Sequence, residues 1–161
     1  MNPHLSSFQE QMKNPIRNNF FLLMKLPMAF LAGLKITEIT EEKCVVQVKY
    51  KWLNTNPFKS MYFAVLSMAA ELSTGSLSMG SLYKRNPAVS MLVIKSEGNY
   101  FKKAVGKISF TCTMGNEINQ AVEQAIATST SQTIRVQTIG KNEQSEVVAE
   151  YFFTWSFKSK N

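Results

Sequence analysis

The chain has 161 residues, of which 45% are hydrophobic and 18% charged, so it is long and apolar enough for one globular domain and is not a disordered protein. Eighteen Lys and Arg residues against eleven acidic ones give a net charge of +7, every acid is a glutamate, and the one histidine is His4. A Ser-His-Asp triad, a Cys-His pair or a His-rich metal site would therefore have to use His4, in a segment that we interpret as an N-terminal tail.

The first predicted elements form an N-terminal helical extension, residues 1–32. Proline suits a first helical turn, so a helix is expected over Pro15–Met24, and Pro27 should end it before a second short segment. The apolar run in this region is interrupted by Lys25 and by Pro27. It is therefore too short for a membrane span and is split where a signal peptide needs a continuous core. Docking of this aromatic segment on a membrane surface is an alternative interpretation.

Beyond the extension the hydrophobic period changes to two, which is typical of strands. Residues 44–51 alternate between apolar and polar, and Gly33–Thr40 is the expected hairpin partner, with a turn at residues 41–43. Cys44 in this strand and Cys112 in a later one belong to no CxxC pair and have no histidine nearby. They are predicted to be small buried hydrophobes in a reducing compartment, and we expect a cytoplasmic protein.

A long apolar helix is predicted from Ser60 to about Gly80, with Ser60 as its N-cap. Aliphatic side chains occupy most of its surface, so the helix should be buried nearly all round. A second stripe, of small and weakly polar side chains, carries one carboxylate and shares one helix face. Its members are Ser60, Ala64, Ser67, Glu71, Thr74 and Ser78.

Four further strands and a second helix complete the chain. The predicted elements are a central strand at Ala88–Lys95, an alternating strand at Gly106–Met114, an amphipathic helix at Glu117–Thr128, and a closing hairpin of Thr133–Gly140 and Glu146–Lys158. One buried helix wrapped by a curved antiparallel sheet of about six strands satisfies this α+β order. Because free sheet edges are a liability, we expect a homodimer that pairs edges across a two-fold axis.

Among the glutamates, Glu71 alone falls inside an apolar helix. A carboxylate buried there would have a raised pKa, which makes Glu71 a candidate general base or nucleophile. The alternative is a structural glutamate at the helix surface or a dimer contact, bonded to Ser or Thr.

Two further features indicate ligand binding. The first-turn amides around Ser60–Phe63 lack intrahelical partners and could polarise a carbonyl oxygen. The segment Lys95–Ala104 mixes basic and aromatic residues and could hold phosphates, together with Lys84 and Arg85. The alternative for this segment is a solvated basic loop. The chain contains no GxxxxGK loop, which argues against an NTPase.

The apolar helix with its glutamate, the amides at the start of that helix and the basic and aromatic segment together resemble the hotdog-fold thioesterase superfamily over about residues 33–157. In its phenylacetate-degradation type, a loop asparagine precedes a His-Gly-Gly at the start of the central helix, and an acid follows nine positions after the histidine. Here Asn56 matches the asparagine, Tyr62-Phe63-Ala64 occupies the place of His-Gly-Gly, and Glu71 is nine positions after Tyr62. Residues 99–104 look like the family's phenylalanine/leucine-basic-proline-alanine stretch, with Lys103 in place of the proline.

The N-terminal extension and the Ser60-Met61-Tyr62 sequence resemble a less characterised thioesterase-like branch, in which a Ser/Thr-Met-aromatic sequence replaces the histidine motif. The resemblance implies a hotdog thioesterase-like domain over residues 33–161. It implies acyl-CoA or acyl-carrier-protein thioesters as ligands, with coenzyme A as part of the substrate and no separate cofactor or metal. It also implies a homodimer or a dimer of dimers.

Site residues follow from the same resemblance. Glu71 would be the base or nucleophile, and the amides of Phe63 and Ala64 would form the oxyanion hole. Asn56 would position water or the thioester. The other implied residues are Ser67 and Thr74, which would orient the carboxylate or water, Lys102 and Lys103, which would meet the CoA phosphates, and Ser60, Met61, Tyr62, Tyr100 and Phe101, which would bind substrate.

Three alternatives to a thioesterase remain. A non-catalytic hotdog protein would bind an acyl thioester or fatty acid without turnover. A dehydratase or isomerase normally uses a histidine, which this core lacks. Specific nucleic-acid binding is disfavoured because the basic residues are spread over several segments and form no known motif.

Overall fold

A computed structural model describes residues 2–160 of the chain. Its helices are α1 (Leu5–Lys13), α2 (Pro15–Lys25), α3 (Pro27–Ala32), α4 (Phe63–Leu82) and α5 (Gly115–Thr128). Its strands are β1 (Lys35–Ile39), β2 (Cys44–Lys49), β3 (Val89–Tyr100), β4 (Lys107–Cys112), β5 (Gln132–Lys141) and β6 (Val147–Ser159). A short 3₁₀ turn lies at Trp52–Asn54.

The strands form one antiparallel sheet of six strands in the order β1-β2-β4-β5-β6-β3. The sheet curves around α4, which contacts β2, β3, β4, β5 and β6. This arrangement confirms the predicted α+β hotdog fold with one long central helix. The alternation of β6 places Ala149, Tyr151 and Phe153 in the core, with Trp155 and Phe157 beyond them on the same face.

The position predicted for β3 was wrong. β3 is an edge strand that pairs with β6 alone, and it continues to Tyr100 through residues that were expected to form a loop. Its apolar side chains lie on both faces, and Leu92 and Ile94 are 64% and 53% exposed. A doubly apolar run is typical of a central strand, but an edge strand that another molecule covers has the same pattern.

The N-terminal segment that was interpreted as a tail contains a helix, α1. Its side chains Leu5, Phe8 and Met12 recur at helical spacing and are buried. α1 contacts α4 closely, because a Cβ at Gly80 would lie 2.9 Å from Leu5 Cδ1. This spacing was the available sequence signal, and it was overlooked because the segment is short and polar between the apolar positions.

The helix predicted from Pro15 is confirmed as α2, and the short segment expected after Pro27 is a helix, α3. Asn14 caps α2, because its side-chain oxygen accepts hydrogen bonds from the amides of Ile16 and Arg17, and Pro15 occupies the first turn. α3 begins at Pro27 and ends at Gly33, whose left-handed conformation (φ +84°) closes the helix.

The prediction that Ser60 caps the central helix was wrong. α4 begins at Phe63 after Tyr62, and the buried Ser60 side chain bonds to Asn56 instead. Nearly all-round burial of α4 is confirmed, including its small polar side chains. The buried ones are Ser73, Thr74, Ser76, Ser78 and Ser81.

Cys44 and Cys112 are free, buried and directly opposite each other on β2 and β4. Burial raises the pKa of both thiols, that of Cys112 to about 11. Their prediction as small buried hydrophobes is confirmed. Across residues 2–160, no helix is both long and apolar enough to cross a membrane.

Candidate active site

A pocket of about 390 Å³ lies at the amino end of α4 and brings together most of the residues predicted to bind substrate. It lies between the loop that precedes the helix and the chain that leaves β3. Its lining residues are Asn56, Pro57, Phe58, Ser60, Met61, Tyr62, Phe63, Leu66, Tyr100, Lys102, Lys103 and Ala104.

Backbone hydrogen bonds fix the entry into α4. The amide of Met61 donates to the carbonyl of Ala104 at 2.8 Å, and the amide of Tyr62 donates to the carbonyl of Asn54 at 2.8 Å. The next two amides, of Phe63 and Ala64, donate no hydrogen bond to any residue from 2 to 160. These are the two amides predicted as an oxyanion hole, and they lie at the positive end of the helix dipole.

Asn56 lines this pocket but uses its side chain within the loop. Its oxygen accepts from the amides of Phe58 (2.9 Å) and Ser60 (3.2 Å), and its nitrogen donates to Ser60 Oγ at 3.1 Å. Asn56 therefore shapes the loop that positions the helix entrance. A direct role in holding water or the thioester stays a prediction.

Aromatic rings form one wall of the pocket. The Phe63 ring packs against Tyr62 and Tyr100, with ring centroids 4.9 and 6.5 Å apart. The Tyr100 hydroxyl hydrogen-bonds Tyr151 at 2.7 Å, and Tyr151 also donates to the Phe63 carbonyl at 3.4 Å. Burial raises the pKa of Tyr151, which keeps it a neutral donor. The site residue Tyr151 was missed, although a tyrosine on the apolar face of a strand needs a polar partner.

The positive side chains at the pocket differ in their partners. Lys102 pairs with Glu146, and both side chains are about half exposed. Lys103 makes no ion pair with any residue in the described part of the chain. Lys103 is therefore the lysine whose ammonium is available to an anionic ligand.

Three residues that were associated with the pocket lie elsewhere. Phe101 lines a separate groove with Ile139 and Val147, because neighbouring residues of an extended chain point to opposite faces. Arg85 pairs with Glu123 at 2.6 Å, and Lys84 lies over the Tyr83 ring. Within one chain, Phe101, Lys84 and Arg85 therefore do not lie with the other predicted substrate residues, and their roles in binding stay predictions.

Glu71 lies in a second apolar groove, of about 260 Å³, at the corner between α2 and α3. Burial raises the pKa of its carboxyl group. Within residues 2–160 the carboxylate makes neither a hydrogen bond nor an ion pair. The other groove residues are Lys25, Leu26, Pro27, Met28, Ala29, Met68 and Leu72.

Gly75, one turn beyond Glu71, leaves space for the carboxylate. A Cβ at Gly75 would lie 2.9 Å from Glu71 Oε1 and 3.5 Å from the Trp155 ring. The α2–α3 corner could not be associated with Glu71 from local sequence patterns, because long-range packing brings the corner to the glutamate. The one available sequence signal for Gly75 was its position four residues after Glu71 on the same helix, where a small residue leaves space for the carboxylate.

The two hydroxyls expected to orient Glu71, those of Ser67 and Thr74, differ in their hydrogen-bond partners. Thr74 donates to the backbone carbonyl of Glu71 at 3.0 Å and accepts from Trp155 Nε1 at 3.0 Å. Its single proton is therefore committed to the backbone, and it does not contact the carboxylate. Ser67 is half-buried on the same helix face, and its hydroxyl makes no hydrogen bond within the part of the chain that the structure describes. Of the two residues, Ser67 is the one that stays available for this role.

The two functional regions of α4 do not meet in one chain. Phe63 and Glu71 are eight residues apart, which is about 12 Å along a helix axis, and the two grooves share no lining residue. No group of three or more metal-ligating side chains that could hold a metal occurs among residues 2–160. The groups of these two grooves that can take part in chemistry include a carboxylate, backbone amides, hydroxyls and lysine ammonium groups.

Comparison with known proteins identifies one family. Residues 18–157 match the family described as "Domain of unknown function (DUF4442)". No curated protein shows significant sequence similarity to the chain.

Solved structures share the fold at low identity. A protein of unknown function from Pseudomonas aeruginosa, described as a probable thioesterase, superimposes with a TM-score of 0.77 and 21% identity, over 93% of this chain and 99% of its own. A thioesterase from Haemophilus influenzae has a TM-score of 0.63 and 14% identity, over 88% and 90%. A mutant thioesterase from Staphylococcus aureus has a TM-score of 0.60 and 13% identity, over 82% and 98%. At these identities the likeness shows the hotdog fold.

Proposed function

The chain belongs to the DUF4442 family and has the hotdog fold, and on this premise we propose that it is a thioesterase that hydrolyses an acyl-CoA or acyl-carrier-protein thioester. The observation that carries the proposal is the Glu71 carboxylate, which is half-buried on α4, has a raised pKa, makes no hydrogen bond or ion pair within residues 2–160, and borders an apolar groove. A structural glutamate would be expected to use its carboxylate within the fold. The names of the structural neighbours from three bacteria support the same activity.

Glu71 would act as the general base for water or as the nucleophile. A carboxyl group with a raised pKa is a stronger base than an exposed one, and at neutral pH its ionised form can take a proton from water. The half-buried hydroxyl of Ser67, one turn away, would hold that water. The apolar groove beside Glu71, with Met28 and Met68 in its walls, would accept the first carbons of the acyl chain.

The unpaired amides of Phe63 and Ala64 would stabilise the oxyanion. Charge develops on the thioester oxygen during attack, and two amides at a helix N-terminus favour negative charge there. Tyr151 supports this geometry from behind, because its hydroxyl contacts the carbonyl of Phe63. The neighbouring aromatic wall and Lys103 would bind the adenine and phosphate parts of coenzyme A.

A complete site would need two copies of the chain. The carboxylate and the amides lie about 12 Å apart along one helix, which exceeds the span of one carbonyl and an attacking water. In a homodimer, the partner subunit's Glu71 can approach the amides of the first. The exposed apolar edge of β3, with Leu92 and Ile94, offers the surface for such pairing. A dimer of dimers is compatible with the same arrangement.

The test is thiol release from acyl-CoAs of short, medium and long chains, with Glu71→Gln assayed in parallel. We expect turnover by the wild type and a loss of about 10²- to 10⁴-fold in the variant, because general-base catalysis contributes that much. Glu117→Gln, an exposed change of the same kind on α5, is the matched control and should retain full activity.

Either of two results would contradict the proposal. Full activity of Glu71→Gln would remove the glutamate from the mechanism. An inactive wild type whose melting temperature rises with acyl-CoA would favour the second candidate, a non-catalytic hotdog protein that binds acyl thioesters. The observation that favours this second candidate is the replacement of both motif glycines by Phe63 and Ala64, which narrows the approach to the amides.

A further inference from the structure

A large apolar surface lies on the outer face of α2 and α3, next to the groove that contains Glu71. It comprises the side chains Ile16, Phe20, Leu23, Met24, Met28 and Leu31, which are between 47% and 79% exposed. A groove of about 500 Å³ between α1 and α2 is continuous with it. We call the six exposed side chains the α2–α3 surface. An apolar patch of this kind on a folded chain indicates an interaction site.

The 3₁₀ turn extends the α2–α3 surface with a tryptophan. Trp52 is 85% exposed and Leu53 is 61% exposed. The turn is joined to the end of α3, because Lys51 Nζ donates to the Leu31 carbonyl at 2.9 Å and Asn54 donates to the Ala32 carbonyl at 3.2 Å. Tryptophan is enriched where proteins meet the headgroup layer of a membrane, since its ring is apolar and its N–H is polar.

The charged residues within α2 and α3, Arg17 and Lys25, are both basic. Residues 11–37 contain two lysines and an arginine within the helices or beside them, Lys13, Arg17 and Lys25, followed by Lys35, and no acidic residue. Arg17 and Lys25 line the 500 Å³ groove itself, next to Phe20 and Met24. An apolar helix face with a basic rim is the composition of interfacial helices that bind anionic lipids.

We propose that the α2–α3 surface docks the protein on an anionic lipid bilayer. The exposed side chains of Phe20, Met24 and Met28 enter the boundary between headgroups and acyl chains, and Arg17 and Lys25 bind lipid phosphates. This docking does not depend on the proposed hydrolysis, although Met28 also lines the groove beside Glu71. It concerns adsorption on one leaflet, since no helix among the described residues is long enough to span a membrane.

The charge pattern favours a bilayer over a second copy of the chain. In a two-fold contact each copy presents the same surface, so Arg17 and Lys25 of one copy would approach the same basic residues of the other. A surface with cations and no acid of its own repels itself but attracts an anionic partner. Glu71, at the neighbouring groove, is half-buried and does not offset the exposed charges.

The experiment is co-sedimentation of the full chain with vesicles of phosphatidylcholine, with and without 30 mol% phosphatidylglycerol. We expect binding to the anionic vesicles, weak binding to the neutral ones, and release as salt rises and screens the charges. Phe20→Glu/Met24→Glu should reduce the partition coefficient by about tenfold or more, because it places charge where apolar side chains insert. Both side chains are more than 60% exposed, so these variants should fold.

Two double variants with the same net charge distinguish the contribution of this surface to vesicle binding from the contribution of the overall net charge. Arg17→Glu/Lys25→Glu and Lys141→Glu/Lys158→Glu change the net charge equally, but Lys141 and Lys158 are exposed on β5 and β6. We expect about a tenfold or greater loss in the first pair and near wild-type binding in the second. Three results would each overturn the proposal: no binding of the wild type to anionic vesicles, equal losses in both pairs, or a dimer that dissociates in Phe20→Glu/Met24→Glu while vesicle binding persists. The last would make the surface an interface between copies.

Discussion

Two helical regions of this molecule reverse the usual relation between polarity and burial. The central helix α4 hides small polar side chains, whereas α2 and α3 leave large apolar ones in solvent. The hidden residues, each at most 4% exposed, are Ser73, Thr74, Ser76, Ser78 and Ser81. The exposed residues, each more than half accessible, are Ile16, Phe20, Met24, Met28 and Leu31.

The difference shows that small polar side chains can be buried in α4, where the hydroxyls of Ser73, Thr74 and Ser78 each donate a hydrogen bond. Serine is small enough for the sheet to approach closely, and its hydroxyl can bond the helix's own carbonyls. Ser73 Oγ lies 2.7 Å from the Ala70 carbonyl, and Ser78 Oγ lies 3.1 Å from that of Thr74. The apolar side chains of the α2–α3 surface lie in solvent and do not contribute to the core.

The largest expected change in the free energy of unfolding comes from a comparison of the same substitution, Leu→Ala, in the two regions. Leu77→Ala in α4 removes a side chain that is 4% exposed, whereas Leu31→Ala in α3 removes one that is 54% exposed. We expect a loss of about 2–5 kcal/mol in the free energy of unfolding for the first and a change within about 0.5 kcal/mol for the second. Urea unfolding measures both. Equal losses would mean that α3 is covered in solution.

A smaller effect should follow from removal of one buried hydroxyl. Thr74→Val keeps the shape of the side chain but leaves Trp155 Nε1 without its partner. A buried donor without an acceptor costs about 1–3 kcal/mol in unfolding free energy. Thr133→Val, at an exposed strand position, is the control and should change stability by about 0.5 kcal/mol or less. If both variants were equally stable, the Trp155 contact would have no energetic role.

Local patterns predicted much of the fold. The alternation in β2, β4 and β6, the proline start of α2 and the continuous apolar pattern of α4 are local, and each prediction was confirmed. The edge position of β3 was not predictable from its own residues, because sheet order depends on which strands pair at long range. α1 was missed for a different reason, since its three apolar positions are separated by polar residues.

The candidate site was predictable in part. Motif spacing placed Asn56, Phe63 and Lys103 together at one pocket, and it singled out Glu71. The spacing could not show that Glu71 borders a different groove, whose other wall comes from residues about 45 positions earlier in the chain. Contacts of this kind between distant segments arise from tertiary packing, and local sequence patterns do not predict them.

The ionisation of Glu71 should make the difference in stability between the wild type and Glu71→Gln depend on pH. Its pKa is raised in the folded state above the usual value of 4.5, so the folded chain holds this proton more tightly than the unfolded chain. Stability from this group is therefore present at low pH and is lost as pH rises through the folded pKa. Glu71→Gln should be more stable than the wild type at pH 7–8, and the difference should vanish toward pH 4. Thermal melting across this range measures it, and a constant difference would contradict the burial of the carboxylate.

The smallest expected change in stability concerns Gly75, and it links the packing of α4 to the proposed chemistry. An alanine here improves helix propensity by up to about 1 kcal/mol, but its Cβ would lie 2.9 Å from Glu71 Oε1. The carboxylate is at the end of a flexible side chain, so it can move and the fold should keep or slightly gain stability. Because the carboxylate is displaced, thiol release by Gly75→Ala should fall while its melting temperature does not. A variant that retained both would show that the position of the carboxylate, which α4 otherwise holds beside Gly75, is not required for turnover.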